Sequence, residues 1–77
     1  MKSEKELFDL AKMYAMLEMD FQKPLPEYEI DEIREAMREI RDMLLEKGYS
    51  VDRFIGYKRL YKKMSVAEYF EFIKRFE

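Results

Sequence analysis

The chain has no cysteine, histidine, tryptophan, asparagine or threonine, and only 2 glycines and 2 prolines among its 77 residues. Each absence removes a class of chemistry. Without cysteine there is no disulfide framework and no thiolate nucleophile, and without histidine there is no imidazole base. Together these two absences exclude the usual zinc sites and the Glu-x-x-His pairs of a bundle-type di-iron centre. No metal and no cofactor is therefore expected. Neither glycine belongs to a phosphate-cradling loop, and no serine stands in a nucleophile elbow. Acid–base work would fall to carboxylates, lysines or tyrosines that already fit ordinary helical charge patterns, so the sequence does not read as that of an enzyme.

Long apolar runs are missing as well. Nothing approaches the roughly 20 residues of a bilayer span, and Met1-Lys2-Ser3-Glu4-Lys5-Glu6 is not the start of a signal peptide. The expected setting is cytoplasmic, with no membrane partner. Glu, Lys and Arg supply 27 residues while Gln occurs once. That bias is the one found in hyperthermophile proteins, where ion pairs become more useful as charge desolvation becomes cheaper with heat, although the 7 methionines run against it.

What the chain does have is apolar surface: 48% hydrophobic residues, including 6 Tyr and 6 Phe. This is enough to offset the entropy of ordering, so the chain should fold without staples as a single domain over residues 1–77. A chain of this size holds about 4 to 11 kcal/mol of stability, so a partner or a second copy can contribute a large share.

Helix signals dominate. Ser3 followed by Glu6 fits a capping box that opens a helix over residues 4–21. Pro24-Leu25-Pro26 cannot continue it and forms a stiff connector. Residues 27–47 read as a second helix with Pro26 at its start and Gly48 just past its end. Its stripe of Ile30, Ile33, Met37, Ile40 and Leu44 is two heptads long and widened by Ala36 and Met43, which fits a bundle face better than a coiled-coil seam. Ser50 caps a third helix over residues 51–63, in which Gly56 marks a kink or a close helix approach. Ser65 and Glu68 form a second capping box, opening a fourth helix over residues 66–76 whose inner stripe is Val66, Tyr69, Phe70, Ile73 and Phe76. No segment alternates long enough to form a strand. The expected fold is all-α, a compact four-helix bundle.

Two surfaces qualify as candidates for function. The first helix is apolar nearly all round, because between Leu10 and Met19 only Lys12 and Glu18 are strongly polar. Four short helices cannot easily surround it, so part of it should face a partner protein or a second copy. Phe8, Met13, Met16 and Met19 are the candidate interface residues, joined by Phe72, which lies off the inner stripe of the fourth helix. This reading makes the chain a non-catalytic interaction module, self-associating or serving as a subunit, adaptor or inhibitor.

The second surface is electrostatic. Residues 27–46 carry a charge of −5 and residues 47–63 a charge of +5 within a chain of −2. Lys58, Arg59, Lys62 and Lys63 share one face of the third helix beside Tyr57 and Tyr61. After the Gly48-Tyr49-Ser50 turn, this is compatible with a helix-turn-helix or with single-strand nucleic-acid binding. Against it, neighbouring segments of opposite charge most simply pair with each other, and the overall balance opposes nonspecific nucleic-acid binding. The outer acids of the second helix could likewise attract a basic partner.

Overall fold

In the computed structural model, which describes residues 3–77, the serines expected as caps do start helices. The Ser3 hydroxyl accepts from the Glu6 amide, Ser50 from Arg53 and Ser65 from Glu68, opening α1 (Glu4–Phe21), α3 (Val51–Lys63) and α4 (Val66–Ile73). Pro26 precedes α2 (Glu27–Glu46). Lys47 caps α2 rather than extending it, and Gly48 follows at φ 70°, a left-handed conformation that costs glycine little. The Gly48 amide then donates to the Leu45 carbonyl and the Tyr49 amide to that of Leu44, which closes a Schellman motif. The last residues do not continue α4 as a regular helix. Lys74–Phe76 tighten into a 3-10 turn, a common way for a helix to end. Among the described residues there is no strand, and the fold is an all-α helical bundle.

The two capping boxes differ. At α4 both halves form: Glu68 donates its amide to Ser65 and its carboxylate accepts from the Ser65 amide at 3.1 Å. At α1 only the serine half forms, and the Ser3 amide instead donates to the Tyr49 hydroxyl at 3.2 Å. That hydroxyl donates in turn to Glu6 at 2.6 Å. A tyrosine from beyond α2 is thus inserted between the two members of the box.

α1 is the central helix, packed along α3 and along α2. Its inner side supplies Leu7, Leu10 and Ala11 to a core completed by Ile40, Leu44, Tyr49 and Phe54. Phe8, turned about 100° from Leu7 by the helical repeat, leaves this cluster and meets a second, aromatic one. Its ring centroid lies 4.9 Å from Phe72, 5.6 Å from Phe76, 6.2 Å from Tyr69 and 5.5 Å from Tyr57. The backbone of α4 makes few close approaches to the other helices, so these ring contacts attach it.

Three expectations are corrected here. Phe8 has no exposed surface and is a core residue, not part of an outer interface. Phe70 and Phe72 exchange places: Phe72 is half-buried against Phe8, while Phe70 is 57% exposed and Val66 74%. Gly56 marks neither a break nor a close approach, because α3 runs through it and a Cβ added there would meet nothing within 4 Å.

The molecule measures 38 × 31 × 18 Å along its principal axes. The shortest dimension is less than two helix diameters of about 10–12 Å, so several helices have one face with no helix beyond it. Two outcomes follow for stability, both read from denaturant midpoints. Phe8→Ala should cost about 3–5 kcal/mol, the usual range for emptying a buried aromatic position and much of what a domain this small possesses. Gly56→Ala should stabilise by about 0.5–1 kcal/mol, since it gains helix propensity in open space.

Candidate interaction surface

Met13, Met16 and Met19 recur every third residue of α1, which places them in a slanting row on its outer side. They are 47%, 47% and 49% exposed. The row ends at a groove of about 200 Å³ where Met19 meets Tyr61 and Met64 of the α3 end and Val66, Tyr69 and Phe70 of α4. The methionine row thus meets the exposed Val66 and Phe70 of α4 at this groove, which Lys62 and Ser65 also line. One edge is fixed by Lys12, whose Nζ donates to the Tyr69 hydroxyl at 2.7 Å and lies 4.6 Å from the centre of its ring. That hydrogen bond raises the Lys12 pKa and holds the ammonium in place.

Phe72 lies away from this surface. It lines a separate groove on the other side of α4 with Leu60, Met64 and Arg75, and the Arg75 guanidinium sits 4.0 Å above its ring. The residue that joins Met19 is Phe70. Apolar residues at 66, 69, 70, 72, 73 and 76 satisfy two overlapping helical stripes, and the rings of Phe8 and Tyr57, packed on Phe72 and Phe76, select between them.

Half of the basic face of α3 is committed inside the molecule. Lys58 and Lys62 both reach Glu18 of α1, at 3.3 and 2.9 Å, and Lys58 also lies 5.1 Å from the Tyr14 ring centre. Burial on its own would raise the Glu18 pKa, yet the hydrogen bonds from Lys62 and Lys58 outweigh it and hold the carboxyl below its ordinary range. Tyr57 donates to Glu4, which also pairs with Arg53, and the Tyr61 ring abuts Tyr69. Among the described residues, Arg59 and Lys63 have no ion-pair partner.

The two oppositely charged segments do not neutralise each other. Lys47 pairs with Glu6, and Arg53, Lys58 and Lys62 pair with Glu4 and Glu18, so the basic segment closes on α1. Among the described residues, Asp31, Glu32, Glu35, Glu39, Asp42 and Glu46 of α2 form no ion pair. Nor, among those residues, do three or more Asp or Glu gather in a group that could hold a metal ion, and no helix is long and apolar enough to cross a membrane. No family model matches this sequence, and comparison with curated proteins and with solved structures finds no match.

The Glu18 arrangement sets an acid limb of stability. A carboxyl whose pKa is lower folded than unfolded binds more protons in the unfolded state, so its stabilisation is present above the ordinary value of 4.5 and is lost as pH falls through the folded value. Denaturant midpoints taken between about pH 2 and 7 should fall more steeply on acidification for the wild type than for Glu18→Gln. Equal slopes would show that the Lys58–Glu18–Lys62 cluster contributes nothing.

Proposed function

We propose that this chain is a small non-catalytic protein-interaction module, of the subunit, adaptor or inhibitor class, whose contact surface runs from Met13, Met16 and Met19 onto Val66 and Phe70. One observation carries this reading: the five side chains are exposed, and Met19, at the end of the methionine row, lines one groove with Val66 and Phe70. Isolated exposed apolar residues are ordinary, whereas contiguous patches mark contact sites. Methionine suits such a surface because its unbranched, polarisable side chain adapts to the shape it meets. With no cysteine to mark an oxidising compartment, the setting proposed is the cytoplasm.

The nucleic-acid alternative has less support. Of Lys58, Arg59, Lys62 and Lys63, two are engaged by Glu18, and the chain as a whole is negative. The remaining two cations are too few for the several phosphate contacts that such binding usually rests on.

The test is capture by tagged protein from its native host, with and without nuclease, beside a Met19→Glu/Phe70→Glu variant. Both substitutions fall on exposed side chains, so circular dichroism should show an unchanged helical fold. The wild type should retain a protein partner, either untagged copies or another chain, through nuclease treatment, and the variant should lose it. Retention by the variant, or loss on nuclease treatment, would refute the assignment.

A further inference from the structure

α1 packs along both α2 and α3, but these two make few close backbone approaches to each other, and a groove of about 270 Å³ lies between them. Leu44 and Phe54, both buried, and Tyr14 line its depth, while Leu45 is 68% and Val51 48% exposed at its rim. Arg41 and Lys58 line the same groove, and no acidic residue does. We propose that this groove is a binding site for a small amphipathic carboxylate, whose apolar body rests on Leu45, Val51 and Phe54 and whose acid group meets Arg41. The site shares no residue with the surface of Met13, Met16, Met19, Val66 and Phe70, so the two assignments stand or fall separately.

The groove is polarised along its length. Leu45 and Val51 flank the turn that joins the helices, one near the end of α2 and the other at the start of α3. Arg41 precedes Leu45 by one helical turn, and Lys58 follows Val51 by two. Both cations therefore stand away from the turn, and the exposed apolar pair stands beside it. A ligand with an acid at one end of an apolar body matches that order.

Arg41 is the anchor because nothing in the chain engages its charge. It is exposed and has no ion-pair partner among the described residues. Its neighbours one turn away on α2 are Met37, Arg38, Leu44 and Leu45, none of them acidic. An unpaired guanidinium offers two parallel N–H donors, a fork that fits a carboxylate. Lys58 is only 18% exposed and is held by Glu18, but Glu18 also takes Lys62, so this cluster stays net positive and adds to the field at the groove. Two other grooves lack this character: the one beside Phe72 brings Glu68 and Glu71 next to Arg75, and one on the outer side of α2 is lined by Asp31, Glu32, Glu35 and Glu39. The volume lies near the low end of the roughly 300–1,000 Å³ usual for ligand pockets, which suits a medium-chain fatty acid rather than a larger lipid.

The probe is decanoate, titrated into the full chain and followed by NMR of the Leu, Val and Ile methyl groups. The wild type should show saturable binding below about 1 mM, with the largest shifts at Leu45, Val51 and Ile55. Decanol and decyltrimethylammonium, which keep the chain and lack the acid, should bind at least about tenfold more weakly. Arg41→Gln should weaken decanoate about tenfold, the usual scale for losing a charge-assisted hydrogen bond, and leave decanol unchanged. Leu45→Glu, also on an exposed side chain, should weaken decanoate further, whereas the Met19→Glu/Phe70→Glu variant should bind it like the wild type. Equal affinity for decanoate and decanol, an Arg41→Gln variant that binds as tightly as the wild type, or shifts spread away from this groove would overturn the assignment. Binding to vesicles of anionic phospholipid with none to decanoate would overturn the small-ligand assignment as well.

Discussion

The burial of Phe8 is the constraint on which the attachment of α4 depends. α1 is apolar on nearly every side, and α2 and α3 together bury the sector that holds Leu7, Leu10 and Ala11. One residue further along the helix, Phe8 points out of that sector and needs cover of its own. Tyr69, Phe72 and Phe76 supply it, with Tyr57 closing the cluster from α3. Aromatic pairs at these separations contribute about 0.5–1.5 kcal/mol each beyond the area they bury, which is large beside the stability of a 77-residue domain. Docking α4 on Phe8 turns Val66 and Phe70 outward and places them beside Met19. The proposed contact surface is therefore a consequence of how the second core is filled.

Polar contacts reinforce the central position of α1. Glu4, Glu6 and Glu18, spaced along it, receive Arg53 and Tyr57, Lys47 and Tyr49, and Lys58 and Lys62 respectively. The carboxyl pKa is lowered in all three, chiefly by hydrogen bonding for Glu4 and Glu6 and by hydrogen bonding against the opposing effect of burial for Glu18. Exposed pairs of this kind add little individually. Their arrangement nonetheless explains the charge asymmetry: the cations of residues 47–63 are drawn to α1, and the acids of α2 are left in solvent.

What could be read from the sequence was local. Ser3, Ser50, Ser65 and Gly48 mark helix ends because capping and the left-handed turn involve residues within about five positions of each other. The stripe through Ile40 and Leu44 follows from helical spacing alone. What could not be read depends on contacts between residues far apart in the chain. The Ser3–Glu6 box is rerouted by Tyr49, 43 positions beyond Glu6, and nothing near Ser3 announces it. The rotation of α4 is ambiguous in sequence because both of its stripes are apolar, and Phe8, 64 positions before Phe72, decides it together with Tyr57. For the candidate surface, Met13, Met16 and Met19 were visible as an excess of apolar residues on one helix, whereas Phe70 and Val66 could emerge only once α4 was docked.

Because the buried residues and the proposed contact row share α1, association on that row would be linked to folding. α1 cannot be rotated to bury its methionines without exposing Leu7 or Phe8, because the two sets lie on different sides of the same rigid element. Among the described residues no further element covers the outer row. A protein partner on this row, as proposed, would supply that cover at no cost in chain length. Because it binds only the ordered helix, its binding free energy adds to the stability of the fold by mass action. For a domain with about 4 to 11 kcal/mol in hand, even micromolar association would be a substantial addition once the protein is well above that concentration. On the proposed reading, the surplus of apolar residues on α1 and the open outer face of the bundle are two aspects of one solution, in which a partner covers what the described helices leave bare.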